Sequence, residues 1–336
     1  MNSQYSHRVT YGRPHRTGVL GLSKELLSEL RRREKQAPSD STPGDSYRRR
    51  PNWNLAGEPT VDLGKDFVGS WPAEFQGKRN TCVAFAVKSC LELQIARKSE
   101  SNPKLLSAQF LYYHMRKSDP DQTPPGWCTG ATKLGYARSV LAENGICVEA
   151  DRTYDLDAEG DGPAPSPQAE AAAVKYPEGC YADYPSVDKR PTRGVARQVY
   201  DQLNTHQRPV AIALLMFKTN GGQTNWTFDD PTMTQDPWDS GIVRGPGEPK
   251  AVNIVGETVY ESLEALGHAV CVIGFQQDPE EATGGWFIFR NSWGMDFANR
   301  FQSMGAVPRV PAAGFGAISA TYVDNYCWEW FSPSVH

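Results

Sequence analysis

Four side chains in this sequence could make and break an acyl bond together. Cys82 lies in Gln76-Gly77-Lys78-Arg79-Asn80-Thr81-Cys82-Val83-Ala84-Phe85-Ala86, and two later stretches, Gly267-His268-Ala269-Val270 and Asn291-Ser292-Trp293-Gly294, carry an imidazole and an amide. A thiol attacks a carbonyl as thiolate, and with a free pKa of about 8.5 it is mostly protonated at neutral pH. His268, as an imidazolium, would stabilise that thiolate and then protonate a leaving amine. Asn291 would orient the imidazole by accepting its second N–H, the task a carboxylate performs in serine triads. The Gln76 amide and the Cys82 backbone N–H would donate to a developing oxyanion, each donor contributing roughly 3–4 kcal/mol. Trp293 would cover the His268–Asn291 contact and exclude water.

Local patterns say how these groups are held. Val83, Ala86, Val87, Cys90, Leu91 and Ile95 recur at helical spacing, so a helix over 83–98 places Cys82 in its first turn, where the positive dipole end favours a thiolate. His268 to Phe275 reads as a buried strand and Gly285 to Arg290 as the next, delivering Asn291 at its end. A cysteine or a histidine alone in such segments would read as core. Four groups in a mechanistically sensible order do not.

Cysteine, histidine and asparagine in that order, a glutamine six residues before the cysteine, and an intact N-S-W-G resemble the catalytic set of papain-like cysteine peptidases. The resemblance runs from about Pro59 to Trp328. Leu106 to Tyr113 is similar to the family's second helix, with Ser107 as N-cap. Trp127-Cys128-Thr129-Gly130-Ala131 is similar to its glycine-bearing substrate-binding stretch, and Asn144-Gly145-Ile146 to the segment that follows. Arg208 to Ala213 is similar to the strand that opens the β-rich lobe.

The resemblance implies an α+β, papain-like fold of two lobes, one helical and one β-barrel-like, with the active site at their seam. It implies a peptidase domain over 58–336, divided into a mainly helical lobe (about 58–205) and a mainly β lobe (about 206–336), and leaves outside it an extension over 1–57 that is basic by its charge count. The implied activity is hydrolysis of peptide bonds through a Cys82 thioester, with His268, Asn291 and Gln76 catalytic, Gly130, Ala131 and Trp293 contacting substrate, and neither cofactor nor metal. Isopeptidase or acyl-transfer chemistry at the same site, a protease active only within a larger assembly, and a silent papain-fold binding module remain open alternatives.

Departures from the family are local. Arg79-Asn80-Thr81-Cys82-Val83 stands where the family has C-G-S-C-W. The upstream cysteine is missing, so Cys128, at its usual partner's place, is expected to be unpaired. Val83 replaces a bulky aromatic and Ala131 a glycine, which remodels the S1 subsite. The spacings from Cys82 to His268 and Asn291 exceed the roughly 130–150 residues of the papain signature. Insertions at about 155–193 and 218–261 account for this, and loops of that length are functional or disordered.

The remaining features bound the setting. The chain has 336 residues, 39% hydrophobic, with a net charge of −4 at pH 7. It contains no run of eighteen apolar residues and no signal-peptide block at Met1 to Gly21. Seven cysteines without framework spacing favour a reducing compartment, hence the cytoplasm. Cys90, Cys147, Cys180, Cys271 and Cys327 read as core or incidental, as do His114, Tyr112, Tyr113, Trp286 and Phe289. Asn225-Trp226-Thr227 is a glycosylation sequon by pattern alone. Residues 1–50 hold eleven Lys/Arg against five Asp/Glu. Within them Ser23 to Gln36 reads as an amphipathic helix and Ala37 to Arg50 as a linker. This extension is an inhibitory segment removed near Arg48–Arg50, a docking arm for a protein partner or activator, or a helix packed on the body. One arginine cluster without a recognised module makes no case for nucleic acid, and no membrane partner is expected.

Overall fold

Helix α1 (Cys82–Ser99) is buried along almost its whole length, polar positions included: Lys88 and Glu92 are as enclosed as Val87 and Leu91, and Ser89 and Gln94 are buried too. Its apolar residues go nearly all the way round, and a helix of that kind belongs inside a domain rather than on it. The sequence suggests a single apolar stripe; what surrounds the helix accounts for the difference. One side packs on a sheet and the other on α2 (Ala108–Ser118) and α3 (Leu134–Glu143). The computed structural model describes residues 54–119, 130–184, 191, 194–219, 223–228, 236–245, 248, 267–281, 283–300 and 308–336. The helix and linker expected at Ser23–Arg50, and Cys128, lie outside them.

The sheet contains β1 (Val61–Asp62), β2 (Gly179–Asp183), β3 (Val210–Leu215), β4 (Ile242–Val243), β5 (Gly267–Gln277), β6 (Gly285–Arg290), β7 (Phe315–Ser319) and β8 (Cys327–Pro333). Its order is β2-β8-β3-β5-β6-β7-β4, with β1 also pairing to β5. Neighbours are antiparallel except β4 and β7. The other described helices are α4 (Pro167–Ala172), α5 (Val195–Asn204), α6 (Pro237–Ser240) and α7 (Ala320–Tyr326). The 155–193 stretch, expected as an inserted loop, holds α4 and β2, and β2 extends the sheet by pairing with β8 from Gly179↔Pro333 to Asp183↔Glu329.

Register explains how β5 and β6 present their functional ends. Cys271 faces Arg290 across the pair. Continuing that antiparallel register brings Asn291 beside Val270 and Trp293 opposite His268, and the two-residue side-chain period puts all three polar or aromatic groups on one face.

Four charges lie inside the seam. Lys88 pairs with Glu74 and, at 2.7 Å, with Glu92; Arg290 reaches Glu74 at 3.2 Å and Glu92 at 3.9 Å. Neutral groups complete the shell. Arg290 donates to Ser89 Oγ and to the Pro72 carbonyl, both at 2.6 Å, while Glu92 accepts from Trp71 Nε1 and the Leu106 N–H, both at 2.8 Å. The Arg290 guanidinium also lies 4.3 Å from the Trp71 ring centroid. Burial alone would pull Lys88 down, but Glu74 and Glu92 outweigh it and hold the ammonium above its ordinary pKa. Burial likewise pushes Glu74 up, and Lys88 with Arg290 more than reverses it. Removing one partner leaves a buried charge uncompensated, so Lys88→Met should lower the unfolding free energy by about 3–5 kcal/mol in urea titrations. A loss below about 1 kcal/mol, the scale of a surface pair, would mean the cluster is solvated.

Candidate active site

The histidine–asparagine contact sits where the β5–β6 register predicts. His268 Nε2 is 2.8 Å from Asn291 Oδ1, and the same oxygen accepts the Ser292 backbone N–H at 2.8 Å. That second bond fixes the amide with oxygen toward the ring, so the imidazole proton belongs on Nε2 and Nδ1 carries the lone pair. Nδ1 is buried and has no hydrogen-bond partner among the described residues. A lone pair held in that way is what a proton acceptor needs.

Aromatic rings enclose this contact. Trp293 stacks on His268 with centroids 4.4 Å apart and planes at 25°. Trp226 meets the imidazole edge-on at 5.4 Å, and Trp238 stacks behind Trp293 at 6.1 Å. Trp226 and Trp238 both come from the stretch expected as the second insertion. His268 is wholly buried, and that burial pushes its pKa down to about 4 against a small upward pull from Asn291. The resting imidazole is therefore neutral at neutral pH unless a thiolate is present to hold its second proton.

Cys82 opens α1 as its first residue, and it too is wholly buried. Gln76, also buried, is fixed at both ends of its amide: Oε1 accepts from Ser292 Oγ at 2.6 Å and Nε2 donates to the Arg79 carbonyl at 2.8 Å. One Nε2 hydrogen is left for another acceptor. Segment 74–76 is zipped to 292–294 through Gln76 N–H to Ser292 O (2.8 Å) and Gly294 N–H to Glu74 O (2.9 Å). The loop before Cys82 and the segment after β6 are thus one structural unit.

Several contributors to this unit were not legible as such. Arg79, in the place of the family's missing cysteine, donates to Gln109 Oε1 (2.5 Å) and to the carbonyls of Asp155 (2.8 Å) and Gly160 (3.3 Å). Its guanidinium also lies 5.3 Å from the Tyr112 ring and 5.0 Å from the Tyr154 ring. The Tyr154 hydroxyl reaches Gln76 O and Thr81 Oγ1. Composition marked Arg79 only as a departure, and Tyr154 stands just outside the expected insertion with no motif around it. Beside the same loop, the Gly130 carbonyl accepts from Tyr112 OH at 2.7 Å and the Ala131 carbonyl from Arg116 at 2.9 Å. Gly130 has φ +90°, and a Cβ there would lie 2.5 Å from that hydroxyl, so only glycine fits. Both residues are buried, and each carbonyl already has one donor.

The other candidates lie elsewhere. Asn225 is buried with its side chain bonded to the Phe217 N–H, the Arg244 carbonyl and Tyr322 OH, which closes the sequon to a glycan. The six described cysteines carry no disulfide, and the Cys90 and Cys271 sulfurs are 3.4 Å apart in the core. His114 pairs with Glu170 at 3.1 Å. No group of three or more His, Cys, Asp or Glu among the described residues has the geometry to hold a metal. Among those residues no helix is long and apolar enough to cross a membrane.

No protein-family model matches the sequence, and no curated protein matches it. Solved structures do match. The chain is similar to xylellain, a cysteine protease from Xylella fastidiosa, with a TM-score of 0.54 and 19% identity over 88% of this chain and 91% of that one. A structure for the mite allergens Blo t 1 and Der p 1 matches with a TM-score of 0.51 and 16% identity, over 84% and 74% of the two chains. Procathepsin L 3 of the Tenebrio molitor larval midgut gives 0.50 and 17%, over 84% and 73%. At these identities the likeness is one of fold, and the chain has the α+β, two-lobed fold of papain-like cysteine proteases.

The His268 environment sets a pH test. Its folded pKa lies below the ordinary 6.5, so between about 6.5 and 4 the unfolded chain binds a proton that the folded one refuses, and stability falls as pH falls through that window. Glu149, Glu248 and Glu329, each raised by burial to about 7, act with the opposite sign. The comparison must therefore be differential. In a Cys82→Ala background, His268→Phe should remove a pH-dependent loss of roughly 3 kcal/mol, and NMR of the Cys82→Ala chain should show His268 titrating near 4. A titration near 6.5 would mean that the ring is hydrated.

Proposed function

We propose that this chain is a cysteine peptidase in which Cys82 attacks a peptide carbonyl. The observation that carries the reading is the His268 Nε2–Asn291 Oδ1 bond at 2.8 Å, which leaves Nδ1 as an unpaired, buried base. As Cys82 Sγ bonds to the carbonyl carbon, Nδ1 takes the thiol proton and the imidazolium faces a negative charge. The remaining Gln76 Nε2 hydrogen and the Cys82 backbone N–H donate to the oxyanion. The imidazolium passes its proton to the amine as the C–N bond breaks, leaving a thioester. Water then attacks the thioester carbonyl with Nδ1 as base, the acid departs, and the thiol is restored. Trp293 and Trp226 keep bulk water from the His268–Asn291 contact, and Gly130 and Ala131 form the substrate-facing wall.

On this reading residues 58–336 are the catalytic domain and the basic extension of 1–57 docks on a partner or packs on the body. The substrate is a protein or peptide. A chain built without disulfides among its described cysteines suits a reducing, cytoplasmic setting. The complete burial of Cys82 favours a second form of the same reading, in which the site opens only when the extension is displaced or an activator binds.

The test is mass spectrometry after incubation with the epoxide inhibitor E-64 under reducing conditions. One adduct on Cys82, lost in Cys82→Ala and slowed at least a hundredfold in His268→Ala, is the expected result. An adduct only after deletion of 1–57 establishes the covered form. No adduct in either chain would overturn the free-standing peptidase and leave only the activator-dependent form and the silent papain-fold module.

A further inference from the structure

Two groups would stabilise the oxyanion in the proposed reaction, and they sit at opposite ends of one turn: the Gln76 amide at its start and the Cys82 N–H at its end. Such donors lower a barrier only if their separation is held to within about 0.5 Å. Backbone stiffness alone does not supply that here, because the turn includes Gly77 at φ +66° and has no disulfide at position 79. The Gln76 amide is held by Ser292 Oγ and the Arg79 carbonyl, but neither bond ties the start of the turn to the start of α1.

Tyr154 does so with one atom. Its hydroxyl donates to the Gln76 carbonyl at 2.9 Å and lies 2.7 Å from Thr81 Oγ1. A phenol has one hydrogen, so with that hydrogen on Gln76 it accepts from Thr81. Thr81 is the N-cap of α1, a position where a threonine oxygen ordinarily accepts first-turn N–H groups; here its side chain caps nothing. The hydroxyl is turned away toward Tyr154. Burial pushes the Tyr154 phenol up to about 12, so its hydrogen stays in place at any working pH. The ring is seated edge-on against Phe85 of α1 at 4.9 Å and under the Arg79 guanidinium at 5.0 Å. The backbone behind it is anchored as well: the Tyr154 N–H donates to Glu149 Oε1 at 2.6 Å, and the Arg152 carbonyl accepts from Ser107 Oγ.

We propose that Tyr154 is a positioning residue whose hydroxyl, bridging Thr81 Oγ1 and the Gln76 carbonyl, sets the spacing of the two oxyanion donors. Its two hydroxyl hydrogen bonds go to the Gln76 carbonyl and the Thr81 side chain, not to the donating amide or the Cys82 N–H, although the phenol lies near enough to Cys82 to feel the charge of its thiolate. The inference rests on the peptidase reading, and it separates two reactions of Cys82. Acylation by p-nitrophenyl acetate passes through an oxyanion; alkylation by iodoacetamide does not. Tyr154→Phe should slow Cys82 acylation about tenfold or more and leave its alkylation within about twofold. Thr81→Val, which removes the hydroxyl at the other end, should lower acylation in the same direction, and it decides the matter if Tyr154→Phe does not fold. In a Gln76→Ala background the effect of Tyr154→Phe should shrink, since the amide it positions is gone. Acylation unchanged in both variants, or acylation and alkylation falling together, would overturn the clamp. A wild-type Cys82 that is neither alkylated nor acylated faster than the half-buried Cys180 would instead overturn the peptidase reading, and the clamp with it.

Discussion

The charge cluster at the seam is the constraint on which the rest of this structure depends. Lys88, Glu74, Glu92 and Arg290 lie in a region with little water, where a misplaced partner costs several kcal/mol and a well-placed one roughly offsets desolvation. Such a cluster adds little net stability, yet it tolerates only one arrangement of its parts. Each member is next to something the site needs. Glu74 precedes Gln76 by two residues, Lys88 lies on the helix that Cys82 opens, and Arg290 immediately precedes Asn291. An electrostatic register between the lobes is at the same time a register among the thiol, the imidazole and the oxyanion donors.

Magnitudes decide how the thiol and the imidazole share a proton. Burial holds the His268 pKa at about 4 even with the Asn291 bond pulling it up, and the net opposition to charging is worth roughly 3 kcal/mol. The dipole at the start of α1 offers Cys82 about 0.3–1 kcal/mol, and up to about 2 when partly buried. The dipole alone does not overcome the burial of the ring. A resting ion pair needs the mutual attraction of thiolate and imidazolium, and the aromatic rings around His268 strengthen that attraction by excluding water.

Local signals were legible. The apolar spacing after Cys82 marked the start of α1, Ser107 does cap α2 by accepting from the Phe110 N–H, and the bounds of β6, Gly285–Arg290, follow from an apolar run between a glycine pair and the N-S-W-G. What was hidden depends on partners remote in sequence. Arg79 meets the Asp155 carbonyl across a separation of 76 residues, and no periodicity records that. Lys88 and Glu92 look like an ordinary exposed i, i+4 pair until the sheet and two helices close over them. Tyr154 lies in a stretch without motif and Trp226 inside a tripeptide pattern that says nothing of its ring, and a lone aromatic reads as core until its neighbours are known. Asn225 shows the converse, since a perfect tripeptide pattern says nothing about burial.

The zipper between 74–76 and 292–294 has a consequence for the chain's synthesis. Cys82 emerges from the ribosome about two hundred residues ahead of the segment that fixes Gln76 and supplies Asn291, or roughly 10–40 s at ordinary elongation rates. During that interval the nascent helix has no imidazole to exchange protons with, and the loop before it has no strand to pair with. β5, which carries His268, must also find β3 and β6 before the register exists. The thiol therefore lacks its catalytic partners throughout that interval, and the constellation closes only once the segment through Gly294 is available to fold.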